Sequence, residues 1–208
     1  MSKQEDDIFI FNDKKYDLLA VEFQDSFLNF DFLFGLKPVE FSTACWRGFI
    51  LTFSVKNDKL VIDKIHTNNG NDETQKIPKI NGIMPKITTP KGLVEGYTEY
   101  RILNYTNLNM FVNYTGSIII ASGFIGEYAS GPYAFLEISP FCYKNIVKLE
   151  FNDGELANFN DLSKIGDIIR DDREKTLKSK KKSNAYFGWP SVNNIFSNDI
   201  LKINEKTE

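Results

Sequence analysis

The 208-residue chain predicts a mainly β fold (α+β): an antiparallel meander, sandwich or partly open barrel with a C-terminal helix packed on it. Three observations lead there. Aromatic residues make up 14% of the chain, with 18 Phe and 9 Tyr, and they recur in short β-branched runs that suit a pleated, half-buried surface. Polar turn clusters such as Asn57-Asp58 and Asp153-Gly154 separate those runs at hairpin spacing. Only after Phe159 does the pattern change to a helical period.

The elements follow in order. Residues 8–23 form a first hairpin, Ile8 to Phe11 and Tyr16 to Phe23 around Asn12-Asp13-Lys14-Lys15. Ser26 to Leu36 is almost continuously apolar, which fits a buried strand and a short helix equally. Phe49 to Val55 and Leu60 to Ile65 form the clearest hairpin, and the polar run His66 to Gln75 is expected to be loop. Lys76 to Gly96 holds Pro78, Pro85 and Pro90, so it is irregular or an edge, because proline cannot donate to a central ladder. Tyr97 to Leu103, Ser117 to Ser122, Phe124 to Ala129, Tyr133 to Ile138 and Ile146 to Phe151 continue as strands. Asp161 then caps a helix ending near Lys182, with Leu162, Ile165, Ile168 and Ile169 on one face and a charged body that includes Asp167, Arg170 and Arg173.

Hydrophobic residues are 42% and charged residues 25%, a globular balance that argues against wholesale disorder. A chain of this length buries roughly 70% of its unfolded surface, so a core forms without disulfides or metals. Residues 1–160 are expected to form the β domain, and residues 161–208 the helix and docking tail of the same domain. The start of the chain lacks the basic-then-apolar pattern of a signal peptide. No apolar stretch approaches the ~18 residues that span a bilayer. The expectation is a cytoplasmic protein with no membrane partner and with Cys45 and Cys142 reduced.

A net charge of −3 gives no global attraction to nucleic acid. With one histidine, His66, and two distant cysteines, no zinc-type ligand set exists, and no cofactor is expected. Asp171-Asp172 reads better as a solvated helix face than as a carboxylate metal site. Gly123 and Gly126, like Gly92 and Gly96, lack phosphate-loop spacing and read as turns or bulges. His66 is the only imidazole available as a base, and no motif brings it to Cys142, which its apolar neighbours mark as a packed residue. Lys178 to Lys182, followed by Tyr186, Phe187 and Trp189, mixes charge with stacking aromatics as single-strand binders do, but basic residues at a helix C-terminus also answer the dipole.

Ser42-Thr43-Ala44-Cys45-Trp46-Arg47-Gly48-Phe49 is the most distinctive stretch. Trp and Arg are enriched at binding hot spots, so it is a candidate recognition surface. The competing expectation, which composition favours, is a core Trp46 with Arg47 pairing a carboxylate. The pattern S-T-A-x-W-R-G-[FY], a strand, an N-D turn and a second strand occupy Ser42 to Ile65, and Gly116, Ile118, Ile120, Gly123 and Tyr128 fit G-x-I-x-I-x-x-G-x-x-x-x-Y. Over residues 41–156 the chain resembles a group of uncharacterised bacterial β-rich proteins. The resemblance implies a shared fold and an immunity or accessory role near bacterial toxins.

The expected function is therefore that of a non-enzymatic binding protein of immunity or inhibitor type, occluding a protein partner such as a toxin. Trp46, Arg47, Tyr128 and Trp189 are the candidate contact residues. The alternatives are a carboxylate- or metal-dependent hydrolase or nuclease, and a nucleic-acid-binding module using the lysine-rich, aromatic tail.

Overall fold

A computed structural model describes residues 5–23, 27, 35–42, 44–70, 76–88, 101–128 and 139–179. Most of the 26–36 run, the strand expected at 133–138, and the tail with Trp189 lie outside the described residues.

Two-residue turns organise the chain. Strands β1 (Asp7–Phe11) and β2 (Lys14–Val21) flank Asn12-Asp13, and β3 (Phe49–Lys56) and β4 (Lys59–Asn68) flank Asn57-Asp58. Asn12, Asp13, Asn57 and Asp58 all have φ between 48° and 60°. Asn and Asp tolerate that left-handed conformation, and the turn built from it matches the right-handed twist of the strands. After a short edge strand β5 (Lys86–Thr88) come β6 (Ile102–Tyr105) and β7 (Met110–Phe111). The long β8 (Gly116–Phe124) pairs β9 (Tyr143–Asn152), which turns at Asp153-Gly154 into β10 (Glu155–Asp161). Helix α1 (Ser163–Ser179) closes the described chain.

The sheet order is β10-β9-β8-β2-β1-β3-β4-β6-β5, with β7 beside β6 on β4. All pairs are antiparallel except β1–β3, which is parallel and makes the sheet mixed. The hairpins β3–β4 and β9–β10 meet at their tips: Leu60 N–H donates to Gly154 O at 2.8 Å and Leu156 N–H to Asp58 O at 2.7 Å. That single bridge, Glu155 with Lys59, curls the sheet without closing a barrel.

Curling separates two cores. Phe9, Phe53, Ile62, Leu103, Ile118, Ile120 and Leu149 face the interior. On the outer face Ile119, Ala121, Cys142, Tyr143 and Ile146 pack with Leu162 and Ile165 of α1. Because β8 is buried on both faces, it reads as the unbroken run Ile118-Ile119-Ile120-Ala121. Both cysteines are buried.

Several expectations are corrected. The run from His66 is not all loop: β4 extends through Asn68. After Phe124 the chain leaves the sheet for a 3-10 turn at Gly126–Tyr128 rather than continuing as a strand. Strand β6 continues to Tyr105, past the expected end at Leu103, and residues 97–100 lie outside the described residues. The helix begins at Ser163; Asp161 is still in β10, and its Oδ1 accepts the Ser163 amide at 2.9 Å. Arg170 and Arg173 of the charged helix body are 4% and 9% exposed.

Tyr105 is fully buried and its hydroxyl donates to Pro78 O at 2.8 Å. Burial pushes its pKa from 10.0 up to about 12. The folded state thus holds a proton that the unfolded chain releases near 10. The stabilisation is complete below that pH and is lost as pH rises through about 12. Urea melts at increasing pH should show stability falling only in this alkaline window, with a shallower fall in Tyr105→Phe. Equal slopes in the two proteins would show that Tyr105 does not couple to folding.

Candidate functional site

The 35–48 segment is held against the end of β3–β4 by side chains of β4. Asn68 is fully buried: its Oδ1 accepts the amides of Val39 and Gly70, each at 2.9 Å, and its Nδ2 donates to Val39 O at 2.6 Å. Thr67 Oγ1 donates to Gly48 O at 3.0 Å. Gly48 has φ 69°, and a Cβ there would sit 2.1 Å from Val39 O, so only glycine lets the two backbones approach. Inside the loop, Cys45 O accepts the Phe41 amide at 3.1 Å and the Gly48 amide at 3.3 Å. Burial pushes the Cys45 thiol pKa up, which suits a packed residue rather than a nucleophile.

Arg47 fastens the outside of this loop. Its guanidinium grips both carboxylate oxygens of Asp7 at 3.0 and 3.2 Å, donates to Glu5 O at 3.2 Å, and lies 4.9 Å from the centre of the Phe49 ring. The Arg47 side chain is 44% exposed, so the pair contributes only ~0–1 kcal/mol, but it fixes the loop's orientation. The expected carboxylate partner of Arg47 is thus Asp7.

Trp46 departs from the core expectation: 49% of it is exposed. It occupies the turn that Cys45 and Gly48 close. Its neighbour Cys45 is buried, and the turn leaves the indole half in solvent.

Beside the loop lies a depression of about 210 Å³ on the outer face of β1, β3, β4 and β6. Phe41 connects the two features, stacking on His66 at 5.1 Å with the rings 29° apart. His66 Nδ1 is 2.6 Å from Asn104 Oδ1. Ile8 and Ile50 provide apolar lining, and Thr52 and Lys64 stand beside them.

The structure does not gather all the sequence-derived candidates. Trp46 and Arg47 are adjacent. Tyr128 lies elsewhere, packed against the cluster under α1, with β2 and β1 between β8 and β3. Its hydroxyl donates to Glu174 Oε1 at 2.6 Å, and that bond, aided by burial, pushes its pKa up to about 12. Tyr128 therefore ties α1 to the sheet. Cys142 belongs to the same helix-covered cluster, away from the His66 depression. Among the described residues no group of three or more His, Cys, Asp or Glu side chains is placed to hold a metal ion, and no helix is long and apolar enough to cross a membrane. Phe41, Asn68 and Asn104 escaped sequence reasoning, because only strand pairing and loop closure bring them to Trp46 and His66.

No family model, no curated protein and no solved structure matches the chain. Architecture alone defines its class: among the described residues, a curled, mixed ten-stranded sheet with a helix packed on the outer face and a pinned aromatic loop at the rim.

Proposed function

We propose that this chain is a non-enzymatic binding protein of immunity or inhibitor type, which occludes the surface of one protein partner such as a bacterial toxin. The exposed Trp46 on a pinned loop carries the reading. A half-exposed indole gives up apolar contact with its own fold, and Asn68, Thr67 and Arg47 already hold the backbone that presents it. Such preorganisation removes part of the ordering cost of association, and Trp and Arg are among the residue types enriched at hot spots. A net charge of −3 would speed encounter with a basic partner.

The test is to purify the protein with its partner from the source cell and to compare wild type with Trp46→Ala. Wild type should hold a single partner in equimolar amount. The variant should lose it, weakening association by ~2 kcal/mol or more, while its melting temperature stays within about a degree or two of wild type. Loss of the partner together with a collapse in stability would mean that Trp46 supports the fold. Retention of the partner would place the interface elsewhere.

A further inference from the structure

We infer that the depression beside His66 is a binding site for a small organic anion, a carboxylate joined to a compact apolar body. This goes beyond the partner-binding reading, because it concerns the sheet face and not the Trp46 loop. The polar groups there are cationic or neutral. Strand pairing sets Ile50 opposite His66, His66 opposite Asn104, and Asn104 opposite Lys86, so these four form one cross-strand row. Paired residues share a face of the sheet, so Lys86 stands at the end of the row that His66 occupies. Lys64, two residues from His66 on the same strand, lines the depression as well.

The nearby acids are engaged or set apart: Asp17, paired with Ile8 across β1 and β2, accepts the Tyr143 hydroxyl at 3.2 Å. Asp7 holds Arg47 and accepts the Leu51 amide at 2.8 Å, and Asp63 pairs with Lys56 at 2.6 Å. Asp6 precedes β1 and does not line the depression.

His66 is the best-defined group. An amide oxygen only accepts, so Asn104 Oδ1 takes the proton on Nδ1; Nε2 then accepts in the neutral ring and donates to a carboxylate only when the ring carries its second proton. Phe41 fixes the ring plane from the other side. Two fixed contacts make an imidazole suited to orient a ligand. The buried Thr52, 8% exposed, lines the same space. About 210 Å³ is below the ~300–1,000 Å³ of pockets that take drug-sized molecules, so the ligand is small. Inorganic phosphate would leave Ile8 and Ile50 uncovered, whereas a carboxylate on a ring or branched chain would cover them.

The chain has one histidine, so its imidazole NMR signals report on this site alone. Titration with benzoate should move them saturably with millimolar affinity, and benzamide, the same shape without charge, should not. Lys64→Gln and Lys86→Gln should each weaken benzoate by up to about fivefold, as exposed ion pairs do. Trp46→Ala should leave benzoate binding unchanged, which separates this site from the partner surface. A short peptide ending in phenylalanine with a free terminus gives the other arm. Tighter binding than benzoate assigns the site to chain termini, and weaker binding assigns it to free small acids. Equal responses to benzoate and benzamide, a phosphate response as large as that to benzoate, or no response to any probe would overturn the assignment.

Discussion

Asn68→Ala is expected to lower folding stability by about 3–5 kcal/mol, a large share of the ~5–15 kcal/mol available to a typical domain. The truncation removes four hydrogen bonds: the amides of Val39 and Gly70 lose their acceptor, Val39 O loses its donor, and Gly48 O loses a longer contact at 3.5 Å. Asn68 and Gly70 are buried and Val39 is half-buried, so water reaches the Val39 groups more readily than the Gly70 amide. Each abandoned group costs ~1–3 kcal/mol. The change also releases the backbone that presents Trp46, so partner binding should fall with stability, whereas Trp46→Ala should reduce binding alone. Urea denaturation of the two variants separates these effects. Wild-type stability in Asn68→Ala would mean that the Thr67 and Arg47 contacts suffice to hold the loop.

Local features of the sheet were legible in the sequence because their causes are local. Asn12-Asp13, Asn57-Asp58 and Asp153-Gly154 supply the positive φ angles that a tight hairpin needs, and the flanking runs supply the strands. The parallel contact of β1 with β3 and the bridge between β4 and β10 were not legible. They join segments tens of residues apart, and nothing in a run of isoleucines names its neighbour. Phe53–Leu60 and Leu149–Leu156 share their turn chemistry, yet nothing in either segment says that the two tips bond to each other.

The site was harder to read for a related reason. Trp46 looked like a core residue because bulk and apolarity usually mean burial, yet the turn closed by Gly48 leaves it outside. Asn68 sits in the polar run Asn68-Asn69-Gly70-Asn71, where composition says loop. Its burial follows only from the 35–48 segment folding over it. His66 was weighed as a base in search of a nucleophile. Its defining neighbours, Phe41 and Asn104, come from a loop and another strand.

Arg170→Leu is expected to cost about 3–5 kcal/mol and to loosen α1 from the sheet. Arg170 is almost wholly buried, and its Nη1 donates to Phe141 O at 2.9 Å and Tyr143 O at 2.7 Å, while Nη2 reaches Asp167. Charge-assisted bonds contribute ~1.5–3 kcal/mol each, and leucine leaves two buried carbonyls with one donor fewer. Gly166 allows this geometry, since a Cβ there would come within 2.8 Å of Ile146 Cδ1 and 3.1 Å of Arg170 Nη1. Arg170→Lys should recover only part of the loss, because a single ammonium lacks the planar fork that reaches two carbonyls and Asp167 together. The inner core does not depend on α1, so hydrogen exchange should rise first at Tyr143 and Ile146, which pack against the helix, while Phe53 and Ile62 stay protected. Loss of protection across both cores at once would show instead that helix and sheet unfold as one cooperative unit.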